Sequence, residues 1–458
     1  MQITMIGAGY VGLTTGTCLA DLGHSVRCFD INAARIAQLE HFDLPIYEPG
    51  LEEAMRRTIQ AGRLSFSTRL QESVAEADAV FIAVGTPSRP DGGIDLSHVL
   101  AAAKQIAPHL KRGAIVIIKS TVVVGTARRV REIIARERGA FDIRVASNPE
   151  FLREGSAMKD FMEPDRIVLG ADDTRSRNAL RAIYRSFERA GVPMVITTTG
   201  NAELIKYSAN AFLALKIGFI NDVADLCEKT GGDIRDVTRG VGLDRRIGES
   251  FLSPGPGFGG SCFPKDTQAF AATGRQFGAP QKLIETLIAR NDQRKLQLAQ
   301  RILKEGRLAP GSTVAVLGLA FKANTDDVRE AASLTIIPAL QAAGLRVVAH
   351  DPKAMPNAQE HLHDVVWRDC PYAACKNASA IVVLTEWDEY RRLHLGRIAR
   401  ALSGDVLFDY RNLFDPRSVT QHGLRYFSLG RAAAPVRQRA GISPIDRWDR
   451  RVAAPGHA

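Results

Sequence analysis

Short apolar runs alternate with amphipathic stretches along the first part of the chain. Each run carries β-branched residues and ends in turn chemistry, which is typical of strands buried on both faces. Helical patterns such as 14–22 and 33–39 separate most of them. This alternation predicts a parallel sheet covered by helices on both sides. The runs are ITMIGAG, SVRCFD, AVFIAVGTP, AIVIIKSTV, IRVASNPE and RIVLGA.

The pattern changes near Thr197. Residues 201–229 are apolar on one face and free of proline, which predicts a long buried helix. Helical patterns continue to 305, apart from the Gly/Pro-rich stretch SPGPGFGGSCFPKD. Strand-like runs return at Gly311 as STVAVLGLAF, LRVVAHDP, AIVVLTEW and VLFDYRN. The sequence therefore predicts two Rossmann-like α/β domains joined by an all-α domain with a long connecting helix.

These patterns place the domain boundaries at 1–197, 198–305 and 306–430. Residues 431–458 are rich in Ala, Pro and Arg without periodicity, so we expect a flexible tail. The length of 458 residues agrees with this division, since roughly 150 residues per domain gives about three domains. With 45% hydrophobic residues, the composition excludes a mainly disordered chain, a fibrous repeat and a small disulfide scaffold.

The six cysteines show no CxxC or Cys/His metal spacing. We therefore expect free thiols in a reducing cytoplasm and no metal site. The chain shows no signal-peptide pattern and no apolar run of membrane length, so we expect a soluble protein without a membrane partner.

The formal net charge of +10 is the one unusual global property. It would suit nucleic acid, an anionic membrane surface or phosphorylated small molecules. The tail supplies +4 of it through six Arg and two Asp. No nucleic-acid-binding motif accompanies the charge, so we expect no nucleic-acid partner.

A glycine-rich turn follows the first apolar run and opens a helical pattern. It consists of Gly7, Ala8, Gly9, Tyr10, Val11 and Gly12. In a dinucleotide fingerprint, the first glycine permits the tight turn and the second lets the backbone approach a pyrophosphate. The third lets helix and strand pack closely, and the helix N-terminus offers free amides to the phosphates.

Asp30 stands 18 residues beyond Gly12, at the end of the next predicted strand. A carboxylate there would accept hydrogen bonds from a ribose diol and repel a 2′-phosphate, which favours NAD over NADP. Arg35 is a candidate to flank the adenosine, and an ordinary exposed helix charge is the alternative.

The loop 259–266, GGSCFPKD, places Cys262 among glycines and charges. Glycines cluster where backbone passes close to a ligand, and a cation such as Lys265 is expected to lower the thiol pKa. A nicotinamide fingerprint plus a nucleophilic cysteine predicts two successive oxidations of an alcohol. The thiolate would trap the aldehyde as a thiohemiacetal, and a second hydride transfer would leave a thioester for water to hydrolyse.

In their order along the chain, the motifs resemble those of the nucleotide-sugar dehydrogenases, in particular the UDP-glucose 6-dehydrogenases. The resemblance runs from residue 1 to about 430. It implies two Rossmann-like domains and a long central helix that forms a homodimer. It also implies oxidation of C6 of UDP-glucose to UDP-glucuronate with two NAD and one water. The motifs are GAGYVG, LPIYEPGL, VGTP, KSTV, NPEFLREG, ELIKYSANAFLALKI, PGFGGSCFPKD and GLAFKANTDDVREAAS.

The resemblance implies that Cys262 is the nucleophile. Lys206 would stabilise the developing oxyanion, and Asn210 would hold the sugar or its oxyanion. These two residues are four apart and share one helix face. An ammonium and an amide are the donors that such an oxygen needs.

The resemblance implies roles at or near the reacting carbon for four further residues. Glu150 would work with water in the hydrolysis, and Glu154 would lie near the nicotinamide and the substrate. Thr121 would orient a water near the reacting carbon. Asp266, paired with Lys206, would act through this water as general base.

Two binding sets follow from the same resemblance. The cofactor set is Gly7, Gly9, Tyr10, Val11, Gly12, Asp30, Arg35, Thr86, Thr121, Glu154, Lys265 and Arg329. The substrate set is Glu150, Phe151, Leu152, Arg153, Glu154, Lys206, Asn210, Arg246, Phe251, Leu252, Ser253, Pro254, Gly255, Gly259, Lys322 and Arg411. Arg411 resembles an arginine that reaches the partner subunit's nucleotide sugar, although the family usually has glycine where Tyr410 stands.

Three alternatives stay open. A GDP-mannose dehydrogenase would share the nucleophile and both oxidations, but PGPGFGGSCFPKD and LDRRIG favour UDP-glucose. A short-chain 3-hydroxyacid dehydrogenase also places Lys and Asn one helical turn apart, yet lacks the cysteine loop and the second α/β domain. A nucleic-acid or scaffold protein that retains the fold would account for the sequence pI of about 9.4.

Overall fold

The structure is a computed structural model that describes residues 1–139 and 143–432. The predicted tail lies outside the described residues, apart from Arg431 and Ala432. In the described part of the chain, no helix has the length and apolar character needed to cross a membrane.

The first sheet contains eight strands in the order β3-β2-β1-β4-β5-β6-β7-β8. They are β1 (Gln2–Ile6), β2 (Ser25–Phe29), β3 (Leu64–Ser67), β4 (Ala79–Ile82), β5 (Ile115–Ile118), β6 (Arg144–Ser147), β7 (Ile167–Ala171) and β8 (Met194–Thr197). Neighbours run parallel except β6 and β7, which pair antiparallel. The prediction of a parallel sheet is wrong at this pair. β7 begins at the end of the sheet where β6 finishes, because the connection does not cross the sheet, so the two strands run in opposite directions.

Helices cover both faces of this sheet. They are α1 (Tyr10–Asp21), α2 (Ala33–Glu40), α3 (Leu51–Gln60), α4 (Leu70–Val74), α5 (Ser97–Ile106), α6 (Thr126–Arg138), α7 (Ala157–Met162), α8 (Thr174–Ile183) and α9 (Arg185–Arg189). Alternate strand residues enter two separate cores, because successive side chains point to opposite faces. Ile115 and Ile117 lie in one core, and Val116 and Ile118 in the other.

Four helices connect the two sheets. They are α10 (Thr199–Thr230), α11 (Ile234–Gly242), α12 (Phe263–Gln276) and α13 (Lys282–Gly306). The predicted long helix corresponds to α10, which begins after a Thr198 cap and ends at Gly231 in the left-handed region. A small apolar cluster that includes Ala211, Phe258 and Leu287 joins α10, α12 and α13.

The second sheet has the order β11-β10-β9-β12-β13-β14, and all its pairs are parallel. Its strands are β9 (Thr313–Leu317), β10 (Arg346–His350), β11 (Val365–Trp367), β12 (Ala380–Val383), β13 (Val406–Asp409) and β14 (Arg425–Ser428). The accompanying helices are α14 (Ser333–Ala342), α15 (Met355–Gln359), α16 (Pro371–Cys375), α17 (Asp388–Arg391), α18 (Leu395–Ala401) and α19 (Pro416–Thr420). The predicted fold class, two Rossmann-like sheets with a helical unit between them, is confirmed.

Candidate active site

A crevice opens where neighbouring parallel strands of the first sheet end. The turn 7–12 follows β1, the loop 83–87 with Thr86 follows β4, and the loop 119–125 with Thr121 follows β5. The strand order reverses at β1, because β2 lies on one side of it and β4 on the other. Open α/β sheets bind ligands at such a switch point, so the crevice is the expected place for a dinucleotide.

The three fingerprint glycines meet three different constraints. Gly7 has φ +102°, and an added Cβ would lie 2.7 Å from the Ala83 carbonyl oxygen. A Cβ on Gly12 would lie 1.9 Å from the Gly7 carbonyl oxygen, so only glycine fits there. A Cβ on Gly9 would meet nothing within 4 Å, which leaves its backbone open to the crevice. This arrangement suits a pyrophosphate lying against Gly9 at the start of α1.

Asp30 closes the crevice on the side of β2, and it is 7% exposed. Its carboxylate accepts hydrogen bonds from the backbone amides of Ala8 and Asn32, each at 2.9 Å. Arg35 pairs with the same carboxylate at 3.4 Å. These bonds fix an acid beside the glycine turn, where a ribose diol of NAD would be bound.

A cavity of about 1020 Å³ adjoins this crevice and extends towards the second sheet. Most of the predicted substrate residues line it. They are Glu150, Phe151, Leu152, Arg153, Glu154, Lys206, Asn210, Phe251, Ser253, Gly255, Gly259, Lys322 and Arg411, with Cys262 beside them.

Several predicted residues lie away from the walls of this cavity. Leu252 is buried in an apolar cluster with Ile220. Arg246 has a side chain that is 89% exposed and pairs with Asp244. Neither residue offers a group to the cavity in this arrangement. Others that lie behind or beside the walls are Thr121, Pro254, Lys265, Asp266 and Arg329.

Lys206 and Glu150 form a buried ion pair with Nζ and Oε1 2.9 Å apart. Burial alone would raise the pKa of Glu150, but the charge and hydrogen bond of Lys206 bring that pKa below its usual range. Burial likewise opposes the charge on Lys206, and Glu150, Asp266 and Cys262 together raise the pKa of its ammonium. Both groups therefore stay charged at neutral pH.

Asp266 is fully buried near this pair and lowers the cost of charge on Lys206. It accepts hydrogen bonds from Asn210 Nδ2 at 2.6 Å and from Lys265 Nζ at 2.7 Å. The expectation that Asp266 pairs with Lys206 needs correction, because the direct partner of Lys206 is Glu150. Asp266 acts on Lys206 through its charge instead. Lys265 is held by Asp266 and is not among the residues that line the cavity.

Cys262 stands at the N-terminus of α12, with Sγ 3.5 Å from Ser261 Oγ. Burial and the charge of Glu150 raise the pKa of its thiol to about 11, although Lys206 acts in the opposite direction. The expectation of a lowered thiol pKa is therefore wrong for this structure. The cation that it relied on, Lys265, is neutralised by Asp266.

Glu154 links the first domain to the cysteine loop. Its Oε1 accepts from Ser261 Oγ at 2.8 Å and lies 3.6 Å from Arg329. Burial and the nearby charge of Asp327 raise the pKa of Glu154 to about 7. Glu154 can therefore exchange a proton near neutral pH, immediately beside Cys262.

The loop 251–261 is held by side chains that sequence reasoning missed. Asn291 accepts from the Phe258 amide at 2.8 Å, and Arg294 Nε donates to the Gly255 carbonyl at 2.9 Å. Both residues lie on α13, and Asn221 of α10 accepts from the Gly255 amide. No signal in the sequence connected them to the loop, because their contact depends on how the helices pack.

Arg411 lies in the cavity of its own chain. It donates to the carbonyl oxygens of Leu384 and Phe321 at 2.7 and 2.6 Å and pairs with Glu386. A Cβ on Gly255 would meet its guanidinium at 3.1 Å. That Arg411 reaches the partner's nucleotide sugar stays a prediction.

Lys119 was also missed, although it begins the KSTV motif. It is 5% exposed, lines the cavity, and donates to Asn148 Oδ1 at 3.1 Å. Burial lowers the pKa of its ammonium to about 8. A lysine directly after the apolar run AIVII was the signal for this site, because a buried charge requires partners.

The open glycine turn, its acid and the adjoining cavity define an NAD-dependent oxidoreductase. Models of the UDP-glucose/GDP-mannose dehydrogenase family match most of the chain, and the chain belongs to this family. The NAD binding domain matches residues 1–188, the central domain 200–293 and the UDP binding domain 315–416. NAD is therefore the cofactor.

Individual relatives agree with the family. A UDP-glucose 6-dehydrogenase of Rhizobium meliloti is 48% identical over 94% of this chain and 100% of its own length. One from Pseudomonas aeruginosa is 46% identical over 95% of this chain and 98% of its own. The solved UDP-glucose dehydrogenase of Pyrobaculum islandicum has a TM-score of 0.84 at 41% identity, covering 91% of this chain and 95% of that one.

Proposed function

We propose that the protein oxidises C6 of UDP-glucose to the carboxylate, giving UDP-glucuronate, with two NAD and one water consumed. The observation that carries this proposal is the cavity in which Cys262 shares walls with Lys206, Glu150 and Asn210 beside the dinucleotide crevice. The names of the relatives support UDP-glucose as the sugar nucleotide. GDP-mannose is the alternative substrate within the family.

The first oxidation converts the C6 alcohol to an aldehyde. The turn 7–12 and Asp30 would hold NAD, which would supply the hydride acceptor for each oxidation. The hydroxyl proton leaves through a water oriented by Thr121, with Asp266 as base. Lys206 and Asn210 donate hydrogen bonds to the C6 oxygen, where negative charge develops.

Cys262 then traps the aldehyde. A new bond forms between Sγ and C6, and the thiol proton passes to the carbonyl oxygen, giving a thiohemiacetal. Because the thiol pKa is about 11, the thiol is neutral at pH 7 and must lose its proton as the bond forms. The donors Lys206 and Asn210 stabilise the oxygen during this transfer.

The second oxidation removes a hydride from C6 and a proton from its hydroxyl, which leaves a thioester on Cys262. Water attacks the thioester, the C–S bond breaks, and Cys262 recovers its proton. Glu150, kept ionised by Lys206, accepts a hydrogen bond from the attacking water. Glu154, with its pKa near 7, is placed to relay the proton released beside Ser261.

The second α/β domain supplies the remaining contacts in this proposal. Lys322 and Arg411 lie in the cavity with Phe251, Ser253, Gly255 and Gly259, and we propose that these residues bind the uridine and its phosphates. For Arg246 to contribute, it would have to leave Asp244. The domain boundaries expected from the sequence, near 197, 305 and 430, are part of the same proposal.

A homodimer formed through α10 is a further part of the proposal. Exposed apolar side chains recur along this helix at Leu204, Phe212, Phe219 and Leu226, each at least 43% exposed. Their spacing of seven or eight residues places them in one stripe, which suits a second copy of the helix.

All six cysteines are free thiols, which supports a cytoplasmic location.

The decisive experiment counts NADH formed per UDP-glucose consumed. We expect two NADH per sugar and UDP-glucuronate as product. Cys262→Ser should lower net oxidation by at least 100-fold, because a hydroxyl does not readily support the second hydride transfer. Cys370→Ser is the matched control, since Cys370 is an exposed thiol in the second domain.

Three results would contradict parts of this proposal. One NADH per sugar would indicate an ordinary alcohol dehydrogenase. Normal formation of glucuronate by Cys262→Ser would exclude the covalent mechanism. Activity with GDP-mannose and none with UDP-glucose would replace the substrate.

A further inference from the structure

Glu48, in the segment 44–51, has no part in the proposed chemistry, yet it is buried between two loops of the active site. It is 5% exposed. Its Oε2 accepts hydrogen bonds from the Tyr10 hydroxyl and from the Gly155 amide, the latter at 2.7 Å. Its Oε1 accepts from the Ala157 amide at 2.8 Å. Two amides and a phenol thus meet on one buried carboxylate.

On one side, Glu48 reaches the dinucleotide turn. Tyr10 is the first residue of α1 and follows Gly9, the glycine whose backbone faces open space. Burial and the bond to Glu48 raise the pKa of Tyr10, so its hydroxyl stays a donor at neutral pH. A pyrophosphate at the start of α1 would therefore bind next to a residue that Glu48 holds.

On the other side, Glu48 fixes the end of the loop that carries Glu150 and Glu154. Gly155 and Ala157 follow this loop, and Ser156 gives α7 no side-chain cap. Glu48 supplies the acceptor that the first turn of α7 lacks. A shift of Glu48 would therefore move the backbone next to both acids.

The same segment also contacts the second α/β domain. Lys353 Nζ lies 4.5 Å from the centre of the Tyr47 ring, and Asp326 accepts a backbone hydrogen bond from Tyr47. A Cβ on Gly155 would lie 2.4 Å from the Asn324 carbonyl oxygen. Glu48 therefore binds the dinucleotide turn and the acid-bearing loop, and its neighbour Tyr47 contacts the domain that faces them.

We propose that Tyr10 and Glu48 are positioning residues that couple cofactor binding at 7–12 to the placement of the loop 150–155 at the sugar. The Glu48 carboxylate joins the two sites, because it binds the Tyr10 hydroxyl on one side and the Gly155 and Ala157 amides on the other. Such coupling is reciprocal. Bound cofactor changes the affinity for the sugar nucleotide by the same factor by which bound sugar nucleotide changes the affinity for the cofactor. The inference rests on the proposed function, because UDP-glucose is the ligand whose binding it concerns.

The test compares the Kd of UDP-glucose with and without saturating NADH, by calorimetry. NADH fills the crevice but cannot accept a hydride, so no turnover occurs. For the wild-type chain we expect NADH to change this Kd by at least about fivefold, the lower end of typical coupling. Tyr10→Phe should bring the change below twofold, with NADH kept saturating according to the Kd of NADH measured for that variant.

Two further variants separate coupling from stability. Glu48→Gln should also abolish the coupling, with a lowered melting temperature because two backbone donors lose their carboxylate. Tyr390→Phe is the matched control, since its hydroxyl is buried in the second domain and donates to the His350 carbonyl at 2.9 Å. It should keep the wild-type coupling.

Coupling that is absent in the wild type, or unchanged in Tyr10→Phe, would overturn the inference while leaving the proposed oxidation intact. Loss of coupling in Tyr390→Phe as well would also overturn it, since any buried hydroxyl would then serve. A chain that binds no UDP-glucose under either condition would overturn both the inference and the proposed function.

Discussion

The two α/β domains place an acid at the same point of the same strand order and use it differently. The first six strands run β3-β2-β1-β4-β5-β6 in one sheet, and the other sheet runs β11-β10-β9-β12-β13-β14. Asp30 follows the strand beside β1, and Asp351 follows the strand beside β9. In both domains a turn that begins with a glycine, Gly7 or Gly318, lies against the acid.

The Asp351 carboxylate accepts its hydrogen bonds from groups of its own domain. Asp351 is fully buried, and five donors bind its carboxylate at 2.7–3.1 Å. These donors are the amides of Leu319, Ala320, Lys353 and Ala354 and the Trp387 indole nitrogen. Asp30 binds two amides and one exposed arginine, and its turn stays open at Gly9. A dinucleotide site therefore requires an unfilled turn and a free acceptor, and the strand order alone does not provide them.

The largest expected difference comes from removing the charge of each acid. Asp351→Asn should lower the free energy of unfolding by about 2–4 kcal/mol, because several buried donors lose their acceptor. Asp30→Asn should lose about 1 kcal/mol of stability or less and weaken NADH binding roughly tenfold or more. Chemical unfolding and NADH fluorescence titration measure the two quantities. Equal losses of stability in the two variants would show that both acids mainly stabilise the fold.

A second pair of variants tests the turns themselves. Gly318 has φ +97°, and an added Cβ would lie 2.4 Å from Thr385 Cβ, so Gly318→Ala should cost about 2–3 kcal/mol of stability. Gly9→Ala should fold with nearly wild-type stability, because its Cβ would meet nothing within 4 Å. It should still weaken NADH binding by about tenfold or more, since the methyl would occupy the place of the pyrophosphate. Wild-type NADH affinity in Gly9→Ala would place the pyrophosphate elsewhere.

The central strands of both sheets could be predicted because each is a continuous apolar run. The strands β3, β8, β11 and β14 were missed. All four lie at sheet edges, and most residues of β3, β8 and β11 are half-buried or exposed. Their short mixed sequences resemble loops. The direction of β7 could not be predicted either, because it depends on the end of the sheet at which the preceding loop delivers the chain.

The chemistry within single motifs could be inferred from the sequence, whereas the pairing between motifs could not. Gly9 and Asp30 follow from a fingerprint with fixed spacing. Lys206 meets Glu150, and Asn210 meets Asp266, each across 56 residues of chain. These partners depend on how α10 packs against α12 and against the loop that carries Glu150. The thiol pKa of Cys262 was misjudged for the same reason, since its burial and the charge of Glu150 depend on distant parts of the chain.

The smallest expected effect concerns a buried acid that binds fewer donors than Asp351. Glu203 is 2% exposed and accepts from the Gly125 and Ala127 amides at 2.7 and 2.8 Å, which holds the start of α6. Burial raises the pKa of Glu203 from 4.5 to about 7. Between these values the folded chain keeps a proton that the unfolded chain has released. Stability from this group is therefore present below pH 4.5 and is lost as the pH rises to 7.

Glu203→Gln should remove this dependence, since glutamine does not titrate. The wild type should lose about 1–3 kcal/mol more stability than the variant between pH 4.5 and 7, because one pKa unit corresponds to about 1.4 kcal/mol. Urea unfolding at both pH values measures this difference, and Glu132→Gln, which changes an exposed acid on α6, is the control. If wild type and Glu203→Gln lost the same free energy of unfolding between pH 4.5 and 7, the Glu203 carboxylate would be ionised in the folded chain. Two amides would then satisfy a buried carboxylate as fully as the five donors of Asp351 do.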